Sequence, residues 1–162
     1  MNQIAKDILQ AAQDKHLMIA TAESCTGGMI SAALTDIPGS SAVFDRGFVT
    51  YSNAAKAQML NVKVATLDQH GAVSEQVAAE MAQGALAASN AQISVSVTGI
   101  AGPGGSDHKP EGRVCFGIAT QHTCHTETAD FGALGRDGVR QAATQKALNL
   151  LMSAITDFAM TG

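Results

Sequence analysis

The sequence predicts an α/β sandwich, a single domain over residues 1–162 in which helices cover both faces of a mixed β-sheet. Three observations carry that reading. Helix-like and strand-like hydrophobic patterns alternate up to residue 97, the order that builds strands with helical crossovers. Two strand-like runs, RVCFGIAT and TCHTETADF, then follow each other with no helix between them, so part of the sheet is antiparallel. No repeat, linker or low-complexity tract divides the 162 residues, a length that suits one domain. A chain of this size removes about 70% of its unfolded surface from water and needs neither disulfide nor metal to fold.

Each element has its own signal. Ile4, Ile8, Leu9 and Ala12 fall on one face of an N-terminal helix. LMIATA, residues 17–22, reads as a buried strand, and the glycines at 27 and 28 stand where that strand gives way to a helix over 29–35. DIPGSS, residues 36–41, is a turn. AVFDRGFVTYS, residues 42–52, is rich in β-branched and aromatic residues and reads as a strand, after which Asn53 could cap a short helix through Leu60. Ser74 could cap the next helix, in which Val77, Met81, Ala85 and Ala88 recur at helical spacing. ISVSV, residues 93–97, alternates as a half-buried strand does. It runs into the least regular stretch, TGIAGPGGSDHKPEG, before the hairpin and a long helical stripe from Val139 to Phe158.

Composition excludes several classes of function. The formal charge is −4 without blocks of like charge, which argues against binding nucleic acid through phosphate neutralisation. It leaves room for one small anion held by a few local cations. No apolar run reaches the roughly 18 residues of a membrane span, and the N-terminus lacks a signal-peptide layout. Three cysteines without metal-ligand spacing point to a reducing cytoplasm. The five histidines show no metal-site spacing either, so no metal is expected; His108, in the glycine loop, is the one placed near a possible ligand.

Chemistry concentrates at two glycine-rich strand exits. In ESCTGG, three adjacent side chains, Ser24, Cys25 and Thr26, could attack an electrophile, and amides opening the following helix could hold an anion or a developing oxyanion. The bland alternative is a helix cap made by Ser24 or Thr26. TGIAGPGG could wrap a phosphate through successive amides or could simply be a tight crossover. It matches neither the Walker loop nor the dinucleotide fingerprint. A nucleophilic serine needs a base, and a buried lysine can supply one. YSNAAK places Tyr51 at a strand end and Lys56 one turn into a helix, although a solvated face also explains that lysine. GRDGVR sets Arg136 and Arg140 on one face at a helix start, positioned for an anionic ligand or for a structural ion pair.

Together, TAESCTGG, DIPGSSAVFDRGFVTYSNAAK, HGAVSE, TGIAGPGG…KPEG and GRDGVR resemble, in this order, the CinA C-terminal domain family, over residues 4–157. The likeness is greatest to its stand-alone members that act as nicotinamide-nucleotide amidohydrolases. The resemblance implies cleavage of the carboxamide of nicotinamide mononucleotide to nicotinic acid mononucleotide and ammonia, in pyridine nucleotide recycling, by a serine–lysine mechanism with no cofactor. It implies Ser24 as nucleophile, Lys56 as general base and Tyr51 as their assistant. Amides around Thr26, Gly27 and Gly28 would hold the oxyanion. Thr98, Gly99 and Gly102, with Arg140 and Arg136, would hold the nucleotide. It also implies a homodimer, which the exposed hairpin edge could serve. Two segments depart from the family pattern: the glycine loop is one residue shorter, and LGRDGVR lies in a segment one residue longer. These departures motivate one alternative, a nucleotide-binding module without catalysis; a third reading is an enzyme with the same nucleophile acting on a different nucleotide amide.

Overall fold

The structure, a computed structural model, describes residues 1–159. The chain runs α1 (Asn2–Asp14), β1 (Ile19–Glu23), α2 (Met29–Thr35), a 3-10 turn (Ser40–Ala42), β2 (Phe44–Val49), α3 (Asn53–Leu60), α4 (Val64–His70), α5 (Glu75–Ala87), β3 (Ile93–Gly99), β4 (Arg113–Thr120), β5 (Cys124–Asp130) and α6 (Gly135–Asp157). Among these residues the strands form one sheet in the order β2-β1-β3-β4-β5. β1 is parallel to both β2 and β3, whereas β3–β4 and β4–β5 pair antiparallel. The sheet is thus mixed, as the late hairpin predicts. No helix of the described residues is long and apolar enough to cross a membrane.

Helices cover both faces. On one, Ile8 and Ala12 of α1, Ile30 and Leu34 of α2, and Ala143, Ala147 and Leu151 of α6 bury against Ile19, Val95, Val97 and Phe116 of the sheet. On the other, Val77, Met81 and Ala85 of α5 pack with Leu60 of α3 and Leu67 of α4 over Ala20 and Ala22. Small residues let this second layer lie close. An ideal Cβ on Gly117 would stand 2.6 Å from the Ala78 carbonyl oxygen, and one on Gly84 only 2.0 Å from the Leu60 carbonyl oxygen.

Several expectations need correcting. β3 is buried on both faces rather than half-buried, because the hydroxyls of Ser94 and Ser96 donate to the Ala82 and Ala78 carbonyls of α5 at 2.6 Å each. Ser52, not Asn53, caps α3, its Oγ accepting from the Ala55 N–H at 3.0 Å. The strand expected over 42–52 is confined to Phe44–Val49. The last helix begins earlier than Val139, at Gly135, and α4 is an element the hydrophobic pattern did not announce. Ser74 caps α5 as its position predicts, accepting from Val77 N–H at 3.2 Å.

Candidate active site

The parallel strands β1 and β3 end side by side and deliver both glycine-rich segments to one edge of the sheet, the edge where open α/β sheets bind ligands. Side chains alternate faces along a strand. At the end of β1 this sends Glu23 toward α2 and Ser24 toward the α3 side. Glu23, which the sequence reading passed over, is fully buried. Its Oε1 accepts from Thr26 Oγ1 (2.6 Å) and the Ile30 N–H (2.9 Å). Its Oε2 accepts from the Ser31 N–H (2.9 Å) and Ser31 Oγ (2.8 Å). The carboxylate therefore occupies the amides opening α2 that an external anion would otherwise take. The N–H of Gly27 is also engaged, by the Ser24 carbonyl at 3.0 Å. No described backbone oxygen accepts from the N–H groups of Cys25 and Thr26.

On the opposite face Lys56 Nζ donates to Ser24 Oγ at 3.1 Å. Lys56 is 1% exposed and Ser24 8%. A solvated helix face is thereby ruled out for this lysine. Burial lowers its pKa from the ordinary 10.5, with only the neighbouring Cys25 opposing the shift. No carboxylate is paired with it among the described residues. A lysine so desolvated can be neutral, and a neutral amine beside a hydroxyl is a base. Cys25 is the weaker nucleophile here: burial pushes its thiol up to about 12, so the reactive thiolate is scarce.

The pair opens into a cavity of about 350 Å³, in the size range that holds a small ligand. Tyr51, Thr98, Gly99, Gly102 and Arg136 line it together with Ser24 and Lys56. Tyr51 is 59% exposed and its hydroxyl accepts from Arg136 Nη2 at 2.6 Å. Arg136 Nη1 also donates to the Gly102 carbonyl at 2.7 Å. Thr98 Oγ1 donates to the Ala72 carbonyl at 2.8 Å. Two further residues hold the glycine loop, and neither was singled out from sequence. Lys109, which lines the cavity, donates its Nζ to the carbonyls of His70 and Val73. Glu111 accepts from Gly104 N–H (2.6 Å) and Gly135 N–H (3.2 Å), tying the loop to the start of α6. Gly102 has φ +91°, and a Cβ there would meet Glu111 Cδ at 2.6 Å, so this position requires glycine.

Thr26, Gly27, Gly28 and Arg140 lie outside the cavity lining. Thr26 is turned to Glu23, and Gly28 opens α2 with φ +109°. Arg140 Nε donates to the Cys25 carbonyl at 3.1 Å and Nη2 to the Thr26 carbonyl at 3.4 Å, bracing the loop that carries Ser24. His108 is exposed and outside the lining as well. Among the described residues no group of three His, Cys, Asp or Glu side chains could hold a metal ion.

Fold and site define the class: a single α/β domain with a desolvated serine–lysine pair at the carboxyl ends of its parallel strands. The chain belongs to the CinA C-terminal domain family, whose model matches residues 1–155. It is similar to a protein of Escherichia coli named nicotinamide-nucleotide amidohydrolase PncC, with 51% identity over 150 residues, 92% of this chain and 91% of that one. A protein of the same name from Enterobacter agglomerans is 58% identical over 120 residues, 74% of this chain and 73% of that one. The crystal structure of the competence/damage inducible protein CihA from Agrobacterium tumefaciens superposes with a TM-score of 0.92 at 47% identity, covering 96% of this chain and 95% of that one.

Proposed function

We propose that this chain hydrolyses the carboxamide of nicotinamide mononucleotide, releasing nicotinic acid mononucleotide and ammonia. The 3.1 Å contact between Lys56 Nζ and Ser24 Oγ in a buried setting carries the chemistry. The names of the Escherichia coli and Enterobacter relatives support the substrate. Ser24 Oγ attacks the amide carbon while neutral Lys56 takes its proton. The N–H groups of Cys25 and Thr26, which have no backbone acceptor, are the donors left for the developing oxyanion, since the amides of α2 are held by Glu23. Lys56 returns the proton to the departing nitrogen, which leaves as ammonia. Water then attacks the acyl-enzyme, Lys56 accepts the water's proton, and Ser24 Oγ recovers it as the carboxylate product forms. Arg136, Tyr51 and the glycine loop orient the nucleotide away from the reacting bond.

Incubation with nicotinamide mononucleotide should release ammonia. Ser24→Ala should abolish that release, and Lys56→Ala should lower kcat by roughly 10²–10⁴-fold while nucleotide binding, measured by calorimetry, persists. Full turnover by Ser24→Ala, or none by wild type, refutes the mechanism. Thermal stabilisation by the nucleotide without ammonia would instead support a binding module, and a panel of nucleotide amides tests the third alternative. We further propose that the activity serves pyridine nucleotide recycling in the cytoplasm and that the chain forms a homodimer, which light scattering on the purified protein would check.

A further inference from the structure

One buried hydroxyl beside this site has no partner. Thr50 is fully buried, and among the described residues its Oγ1 is the only buried side-chain nitrogen or oxygen without a hydrogen bond. Native structures contain few such groups, and each asks for a reason. Its place in the sheet supplies one. The Thr50 N–H donates to the Glu23 carbonyl at 2.9 Å, extending the parallel ladder in which Glu23 pairs with Val49. Glu23 faces α2, and Val49 does too, its Cγ2 standing 3.7 Å from the Cβ position of Gly28. Ala22 and its partner Phe48 pack on the opposite face, with Leu60 of α3. Alternation returns the next pair, Ser24 and Thr50, to that face. Carried one residue past the ladder, the pattern sets Thr50 on the face of Ser24, at about the 4.8 Å spacing of neighbouring strands.

Thr50 does not line the cavity, so its hydroxyl is not placed for substrate. That leaves Lys56, which reaches Ser24 on the same face, as its candidate partner. In the structure Lys56 Nζ has one described partner, Ser24 Oγ. Once it takes the Ser24 proton it becomes a buried ammonium with three donors and no carboxylate.

We propose that Thr50 Oγ1 is the second acceptor for Lys56 Nζ, formed when the lysine is protonated, and that Thr50 is a positioning residue of the reaction. The proposal rests on the Ser24–Lys56 reading. The proton still travels between Ser24 and Lys56; Thr50 accepts an N–H bond and transfers nothing. The other titratable groups around the cavity are Cys25, Tyr51, Asp107, Lys109 and Arg136, while Glu80 of α5 is bonded to the Lys63 N–H and Thr66 Oγ1. A change at Thr50 alters none of them.

The test compares wild type, Ser24→Ala, Thr50→Val and Thr50→Ser in ammonia release from nicotinamide mononucleotide across pH, with thermal melts of each. Thr50→Val keeps the shape and removes the hydroxyl. Its kcat should fall roughly 10- to 100-fold with KM unchanged, the range of a lost hydrogen bond to a charged group. An ammonium without its acceptor is a stronger acid, so the acidic limb of the kcat profile should move to lower pH. Thr50→Ser should restore most of kcat, and the melting temperature of Thr50→Val should hold or rise. Thr50→Ala removes the hydroxyl without adding a methyl and should show the same limb shift if Val is poorly accommodated. The inference is overturned if Thr50→Val keeps wild-type kcat and pH profile while Ser24→Ala is inactive. It is overturned too if Thr50→Ser is as impaired as Thr50→Val, or if the change falls on KM. If wild type releases no ammonia, or Ser24→Ala releases it fully, the underlying mechanism falls and this proposal with it.

Discussion

Glu23 ties Ser24 to the fold. It accepts four hydrogen bonds within the protein, two of them from backbone amides that cannot rotate away. Its neighbour in sequence is Ser24, so the angle at which the serine leaves β1 depends on this clasp. In Glu23→Gln the amide nitrogen must replace Oε1 or Oε2, and on either side it meets a backbone N–H, of Ile30 or of Ser31. The substitution should therefore destabilise the protein by about 1–3 kcal/mol, as an unsatisfied buried donor does. Chemical denaturation measures that loss, and kcat for ammonia release should fall with it. A variant as stable and active as wild type would show that the loop is held by Arg140 alone.

At the scale of elements, the layer that carries Lys56 is set by close helix contacts. Gly84 of α5 lies against the end of α3, where a Cβ would stand 2.0 Å from the Leu60 carbonyl oxygen and 2.8 Å from its carbon. Gly84→Ala would gain about 1 kcal/mol of helix propensity but must push α3 outward. We expect a net loss of about 1–3 kcal/mol and a drop in kcat, because α3 also sets the distance from Lys56 to Ser24. Urea unfolding and the ammonia assay check both; a stabilised, fully active Gly84→Ala would refute the rigid contact. α1 and α5 were legible in the sequence because their buried residues recur at helical spacing, and β1 and β4 because their apolar runs are buried on both faces. β3 was misread because Ser94 and Ser96 look like a wet face until α5 supplies their acceptors. α4 escaped because it buries only Leu67. For the site, ESCTGG and YSNAAK mark candidate residue types, but their meeting is a long-range event that local patterns do not encode. The resemblance named that pairing. Lys109 stayed hidden because its acceptors on His70 and Val73 lie far along the chain; Glu23 stayed hidden although its partners Thr26, Ile30 and Ser31 are close in sequence, because a carboxylate at a strand end gives no sign of burial until the amides opening α2 enclose it.

For the whole molecule, a buried lysine without a carboxylate is a liability, and its cost has a pH signature. In the unfolded chain Lys56 titrates at its ordinary 10.5, whereas burial in the folded protein lowers that value. Between the two values the unfolded state binds the additional proton, so stability rises with pH through this window and is lost as pH falls through it. Below the folded value both states are protonated and the full penalty remains. Cys25 acts in the opposite direction: its thiol is raised from 9.0 to about 12, so stability falls as pH climbs above 9.0. Lys56→Met keeps the length of the side chain and removes its charge, and it leaves Cys25 in place. The variant should be inactive yet melt at least about 2 °C higher than wild type near pH 7, the shift that roughly 1 kcal/mol produces in a chain of this size. The gap should narrow as pH approaches 10.5; because Lys56 lowers the Cys25 pKa, the Cys25 slope differs between the two proteins and is removed by repeating the comparison in a Cys25→Ala background. Melting curves recorded side by side from pH 6 to 10.5 decide it. A gap that stays constant across that range, or a Lys56→Met variant less stable than wild type at neutral pH, would mean that the lysine keeps its charge in the folded protein and cannot serve Ser24 as a base.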